Sequence, residues 1–472
     1  MKEYKQFYID GEWVDPNGQE INEVINPATE QVCLRVASAN KADIDAAFDA
    51  AHKAFPSWSA TPAVKRRELL LAAADEMEVR KDDLVEAHVE TLGVPKHLAA
   101  EMQVDGPIEA VRYFAELALN TEHTTEVDGM LVMREAVGVC ALINPWNYPL
   151  LQMIGKVAPA IAAGCTMVEK PSEETPSTDF IMAEIFHKVG LPAGVFNLVS
   201  GQGSVIGPMM SSHPLADLVS FTGSTRAGIS VAESAAPTVK RVCQELGGKS
   251  ALIITEDADL DAAVPYGIEN VFLNTGQTCD ALTRMFVPRS VYDKAVEIAK
   301  ETAAKHVVGD PLNANTTVGP LVSATQKRSV DQGIQMGIDE GATLVTGGTG
   351  LPDGINKGAY VKPTIFGDVT GDMKIGQQEI FGPVLCMMPY DTVDEAVEVA
   401  NSSEYGLGSA VWAGDRESAI AIARRLRAGQ CFIQGGYFRV DAPFGGYKQS
   451  GNGREWGEAG IQEYLETKAI IG

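Results

Sequence analysis

Three short stretches hold residues whose types suit covalent chemistry at a carbonyl. Cys279 stands in NTGQTCDALTR, after a Gly276-Gln277-Thr278 turn and before an acid. A free thiol has a pKa near 8.5, so little of it is nucleophilic at neutral pH. A turn that presents the cysteine at a loop or helix start is expected to lower that value. The opposing reading is a small, buried, apolar residue, which is what most cysteines are. A nucleophilic cysteine also needs a donor for the oxyanion it creates and a base for water. Asn147, in NPWNYPL between Trp146 and Tyr148, is a fixed amide held by flanking prolines. Glu245, in CQELGGKS, has two glycines beside it that leave room for a reactant. None of the seven histidines keeps comparable company, and His213 in SSHPLADL reads as a turn residue, so a Cys-His protease arrangement has little support.

A second set of residues suits a nucleotide. LVSFTGSTRAG reads as a strand ending at Gly223-Ser224, with Gly228 at the start of a helix. Glycine lets a backbone approach a ligand, and helix-start amides favour negative charge. VEKPSEETP places Lys170 and Glu173 just past another strand end, where α/β sheets bind ligands. The lysine can reach a phosphate or a hydroxyl, and the carboxylate can accept from a ribose diol. Taken singly, Gly223 is equally a tight turn and Lys170 a solvated loop residue. The GxGxxG fingerprint of ordinary dinucleotide folds is missing.

The elements that must position these residues follow from hydrophobic period. The first 35 residues read as short strands and loops. Helical patterns follow, in KADIDAAFDAAHKAFPSW with Ile44, Ala47, Phe48, Ala51 and Phe55 on one face, in VKRRELLLAAADEMEVRKDDLVEAHVETLG, and around GPIEAVRYFAELALN. From Gly138 short apolar runs alternate with helical stretches, the rhythm of a parallel sheet. A second α/β unit follows, with helices over VYDKAVEIAKETAAKHVVG and ATQKRSVDQGIQMGIDEGA and a strand over ATLVTGG. The fold class is therefore α/β. A chain of 472 residues exceeds one compact core, so about two or three domains are expected.

Composition narrows the function further. A net charge of −25 repels nucleic-acid phosphates, which excludes a nucleic-acid role. No run reaches the roughly 18 apolar residues of a spanning helix, so no membrane partner is expected. The opening MKEYKQFYIDGEW is charged, with no apolar core, and does not read as a signal peptide. Seven scattered cysteines with no CxxC and no metal-ligand spacing argue against a disulfide framework and against zinc. A reducing, cytoplasmic location is the expectation.

Seven stretches in order resemble the aldehyde dehydrogenase superfamily across nearly the whole chain. They are NPWNYP (144–149), EKPSEETP (169–176), FTGSTRAG (221–228), QELGGKS (244–250), NTGQTC (274–279), QEIFGPV (378–384) and PFGGYKQSGNGRE (443–455). The resemblance implies a Rossmann-type dinucleotide domain (1–120 and 138–246) and an α/β catalytic domain (247–442). It also implies a small β oligomerisation and bridging segment (121–137 and 443–472). It implies Cys279 as nucleophile, Asn147 and the Cys279 amide as oxyanion donors, and Glu245 as base. For the cofactor it implies Trp146, Lys170, Glu173, Gly223, Ser224, Glu379 and Phe381, with no metal.

The implied activity is oxidation of an aldehyde to a carboxylic acid with NAD, or NADP, through a thiohemiacetal and a thioester, in a homodimer or homotetramer. Glu173 favours NAD because a carboxylate repels a 2′-phosphate. Two rivals are a coenzyme-A-acylating semialdehyde dehydrogenase, whose relatives tend to lack the Glu245 base, and a non-catalytic structural relative. Tyr148, Leu151, Gly155, Asp280 and Phe438 are expected to line the substrate entrance. Gly155 should widen it, Tyr148 and Phe438 suit apolar or aromatic aldehydes, Asp280 a cationic one, and Arg439 could attract a carboxylate.

Overall fold

The computed structural model describes residues 2–121 and 124–472, so residues 1, 122 and 123, two of them in the expected bridging segment, lie outside it. An eight-stranded sheet organises the first half of the chain. Its five central strands run parallel in the order Arg241–Glu245, Leu218–Thr222, Val139–Ile143, Thr166–Lys170 and Phe196–Leu198. Antiparallel strands close its two edges, Gly451–Asn452 at one and Phe7–Ile9 with Glu12–Val14 at the other. Every residue of Val139–Ile143, Thr166–Lys170 and Leu218–Thr222 is buried. Unbroken apolar runs, rather than alternation, are what a sheet covered on both faces requires.

The covering helices are those read from the sequence. Lys41–Ser59 starts at a capping box in which Asn40 and Asp43 satisfy each other's backbone amides. It buries Ile44, Ala47, Phe48 and Ala51. Pro149–Ala163 is buried almost throughout and ends at Gly164, whose φ of 91° closes the helix without a Cβ penalty. Several elements escaped the sequence reading, the helix Leu260–Phe272 among them. Gly203–Ser211 is helical although it holds two glycines and a proline, and Ala99–Asp105 is a wider, π-type stretch. Gly203–Ser211 and Ala99–Asp105 show no clean 3.6-residue period.

A seven-stranded sheet organises the second half, in the order Thr343–Thr346, Thr364–Gly367, Val384–Tyr390, Arg284–Pro288, Ala251–Ile254, Ser409–Trp412 and Phe432–Ile433. All pairs are parallel except the first. The helices Tyr292–Ala303 and Ala324–Asp339 and the strand Thr343–Thr346 fall where the second α/β unit was expected. Leu465–Ile470, Met130–Ala136 and Thr124–Val127 form a separate antiparallel sheet. That sheet exposes Val127, Leu131 and Ile470. No helix among the described residues is long and apolar enough to cross a membrane.

Candidate active site

The strand order of the first sheet reverses between Val139–Ile143 and Leu218–Thr222: from the former the chain builds outward one way, from the latter the other. In open α/β sheets, ligands bind beyond the carboxyl ends of strands at such a switch. The loops there are Asn144 to Asn147 and Gly223-Ser224. Both line a cavity of about 310 Å³ with Leu246, Gly247, Cys279, Gln326, Ser329, Glu379, Ile380 and Phe381.

The cavity therefore unites seven of the ten expected site residues: Trp146, Asn147, Gly223, Ser224, Cys279, Glu379 and Phe381. Trp146 and Phe381 meet edge to face, 5.2 Å between ring centroids. Glu245 is not in its lining. It is buried beside Cys279, close enough for its charge to act on the thiol. Lys170 and Glu173 lie apart, at the end of Thr166–Lys170, 3.1 Å from one another. Gly203 N donates to Glu173 at 3.1 Å. Burial raises the Glu173 carboxyl, but Lys170 and the backbone amides outweigh it and hold it below the usual range.

Cys279 sits in a loop, past the helix Leu260–Phe272 and the turn Leu273–Gly276. Asn274, Thr275 and Gly276 all have positive φ (49°, 58° and 72°). A Cβ on Gly276 would stand 2.1 Å from the Gly382 backbone, so only glycine fits. A buried amide network ties this loop to the Asn147 loop. Asn147 Nδ2 donates to Gln277 O at 3.0 Å, and Asn274 Nδ2 donates to Asn147 O at 2.8 Å. Gln103 Nε2 donates to the same Asn147 carbonyl at 3.2 Å. An amide nitrogen carries two hydrogens, so Asn147 keeps one for the cavity.

Cys279 departs from expectation in its acidity. Burial above all, then the charges of Asp280, Glu245 and Glu379, push its thiol well above the usual value, against the Asp280 amide, which lowers it. The turn does not depress the pKa, because burial and the charges of three carboxylates outweigh it. Glu245 is likewise pushed well up, by burial and then Glu455, with Lys156 and Arg454 opposing. Burial takes Glu379 up to about 7, although it accepts from Gly248 N at 2.9 Å.

Two further expectations are overturned. Gly155 does not widen the entrance: a Cβ there would stand 2.7 Å from the Trp456 indole, which already fills the space. Arg439 is not free for a carboxylate, because its guanidinium pairs in two places with Asp441 at 2.8 and 2.6 Å.

Sequence reasoning also missed residues. Lys156, fully buried, donates to Thr222 Oγ1 at 2.7 Å and lies 2.7 Å from Glu455. Its one sequence signal is a lysine in an otherwise apolar helix. Thr222, beside the Gly223-Ser224 turn, lines the cavity too, and Gln326 and Ser329 join it with no local signal.

An α/β fold whose cleft opens at a sheet switch point, with a cysteine, an amide and carboxylates converging on it, is that of a dehydrogenase with a thiol at its centre. The sequence pattern of the Aldehyde dehydrogenase family matches residues 13–470, and the chain belongs to that family. A 3-succinoylsemialdehyde-pyridine dehydrogenase of a Pseudomonas species is 47% identical over all of this chain and 99% of its own. Aldehyde dehydrogenase C of Pseudomonas syringae, solved as a mutant with NAD+ and octanal, superposes with a TM-score of 0.98. It is 48% identical, over 99% of this chain and 96% of that one. The Mycobacterium tuberculosis aldehyde dehydrogenase complexed with NAD+ gives 0.97 at 40% identity, over 100% and 98%. The reaction of this chain is the oxidation of an aldehyde to a carboxylic acid.

Proposed function

We propose that this chain oxidises an aldehyde with an apolar body, using NAD+, with Cys279 as nucleophile, Asn147 as oxyanion donor and Glu245 as base. The observation that carries the reading is the convergence of Cys279 and Asn147 on the switch-point cavity that Gly223, Ser224 and Glu379 also line.

The residues present fit a nicotinamide dinucleotide. Lys170 and Glu173 offer a donor and an acceptor to one ribose, and Glu379 offers an acceptor to the other. Ser224 caps the helix Thr225–Ala235, whose first amides suit a pyrophosphate. The Glu173 carboxylate disfavours a 2′-phosphate, hence NAD over NADP. Bound there, the nicotinamide supplies a hydride acceptor.

The chain's own residues do the rest. Passing the thiol proton to ionised Glu245 exchanges one buried anion for another, so the buried charge does not grow. The Cys279 thiolate then adds to the carbonyl carbon. The free Asn147 Nδ2–H and the Cys279 amide hold the new oxyanion. After oxidation a thioester remains on Cys279. Glu245, once it has released the thiol proton to solvent, takes a proton from the attacking water; the C–S bond breaks, the Cys279 thiolate is restored and the acid leaves. Behind it, Lys156 between Thr222 and Glu455 offsets the charge Glu245 carries as base.

Cys279, Leu151, Phe438 and Val440 pack against one apolar cluster, which supports an apolar substrate body. Phe438 meets Trp456 and Phe444 edge to face at 5.6 and 6.1 Å. Residues 1–120 and 138–246 serve as the dinucleotide unit, 247–442 as the catalytic unit, and 121–137 with 443–472 as the bridging segment. The exposed apolar residues of the three-stranded sheet support pairing of copies into a dimer or tetramer. Seven free cysteines suit a reducing, cytoplasmic setting.

A panel of aliphatic, aromatic, cationic and semialdehyde substrates, with NAD+, NADP+ and coenzyme A in turn, tests the reading. NADH and free acid should form fastest with NAD+ and apolar aldehydes. Acyl-coenzyme A as product, or no NADH from any aldehyde, would overturn it.

A further inference from the structure

A buried carboxyl cluster below the cleft takes no part in the chemistry above. Glu169 and Asp179 are 0% and 1% exposed. Glu169 is the penultimate residue of the strand Thr166–Lys170, and Asp179 lies in the first turn of the helix Ser177–Lys188. Asn144 Nδ2 donates to Glu169 Oε1 at 2.6 Å, and Thr178 Oγ1 donates to Asp179 Oδ2 at 3.0 Å. Glu169 Oε2 and Asp179 Oδ1 remain, each buried with no donor. The two acids lie within hydrogen-bonding reach of each other. Two carboxylate oxygens can bond only through a proton.

We propose that Glu169 and Asp179 share a proton and act as a positioning pair, joining the Lys170 strand end to the loop that carries Trp146 and Asn147. The proposal rests on the roles given above to Lys170 and Asn147. Asn144 is the joint. It opens that loop, its N donates to Lys170 O at 3.0 Å, and its side chain is held by Glu169. The parallel register sets Leu142 beside Glu169 and Ile143 beside Lys170. Further along, Thr175 Oγ1 donates to Trp146 O at 3.4 Å.

The surroundings favour a retained proton. Lys170 is the charged group that faces the pair, while Asn144 and Thr178 face it as neutral donors. Burial and then Asp179 push Glu169 well above the usual range. Burial takes Asp179 up to about 7, against the bonds it accepts from Glu169 and Thr178. The pair therefore keeps a proton between its two carboxyls well above the usual range. Folded pKa values above the unfolded ones mean stability present in acid and lost as pH rises from about 4 through 7.

Glu169→Gln keeps an acceptor for Asn144 and an N–H for Asp179 but cannot titrate. Its NADH affinity, read by fluorescence, and its turnover should stay within about twofold of wild type at neutral pH, since both hydrogen bonds survive. Its Tm should fall less than that of wild type as pH rises. Glu169→Leu should weaken NADH binding and turnover about tenfold each, the cost of a buried donor left unpaired. Should Glu169→Leu not fold, Asp179→Asn must show the same flattened Tm profile with activity kept. A wild-type Tm profile in both Glu169→Gln and Asp179→Asn, or wild-type NADH binding and turnover in Glu169→Leu, overturns the proposal. The Tm profiles need no activity, so a wild-type chain that fails to bind NADH sinks the functional reading without deciding this one.

Discussion

The Trp456 indole occupies the volume that a side chain at residue 155 would need. Its Cζ2 lies 2.7 Å from the position of a β-carbon on Gly155. Trp456 is also held at φ 62°, a region bulky residues rarely enter, and its ring packs on Phe114 and Phe438. The space beside residue 155 is thus taken by a residue 301 positions further along the chain. Gly155→Ala should destabilise the fold by about 1–3 kcal/mol through overpacking, read from denaturant midpoints. Gly155→Ala with Trp456→Phe should recover much of that loss; no recovery would mean that the two side chains do not compete.

Asn147→Ala removes a donor from the developing oxyanion. Turnover should fall about a hundredfold or more, roughly 2.7–4 kcal/mol, with NADH binding little changed. Equal turnover in stopped-flow and steady-state assays would remove Asn147 from the mechanism.

Glu245 must lose its proton to serve as base, yet burial and Glu455 hold its pKa well up. Hydrolysis of the thioester should therefore speed up with rising pH at values above the usual carboxylate range. Glu245→Gln should give a rapid burst of NADH followed by slow turnover, with that pH dependence gone. A pH-independent wild-type rate, or a variant with no burst and normal turnover, contradicts the role.

Lys156 opposes the raised pKa of Glu245. Lys156→Met should shift that rise in turnover to higher pH. It also leaves Glu455 buried and unpaired, which costs about 3–5 kcal/mol in comparable sites. A variant with an unshifted pH profile would make Lys156 a stability residue only.

Asp280 is the strongest charge raising the Cys279 thiol. Burial holds its own pKa up to about 6, so above that pH its charge is in place. Asp280→Asn should therefore speed alkylation of Cys279 by iodoacetamide at neutral pH in the cofactor-free enzyme. The same variant should lose any preference for cationic over neutral aldehydes. Slower alkylation would show that Asp280 helps rather than hinders the thiolate.

The sequence alone determined the local features. Unbroken apolar runs separated by helical periods specified covered parallel strands, because those patterns are set by which faces are buried. The Gly276 turn, Asn147 between its prolines and Glu245 before its glycines were legible because each is a constraint within a few residues. Long-range juxtapositions were decided only by the tertiary structure. Thr222, at the end of its strand, and Gln326 and Ser329, one turn apart on the helix Ala324–Asp339, come to one cavity from distant parts of the chain. Lys156 announced itself only as a charge in an apolar helix; its partners, Thr222 and Glu455, are 66 and 299 residues away. Acidity was the least legible property. The pKa of Cys279 depends on burial and on three carboxylates converging in space, and a short sequence window contains just one of them, Asp280. Desolvation and Coulomb energy depend on distances through the folded interior, which spacing along the chain does not encode.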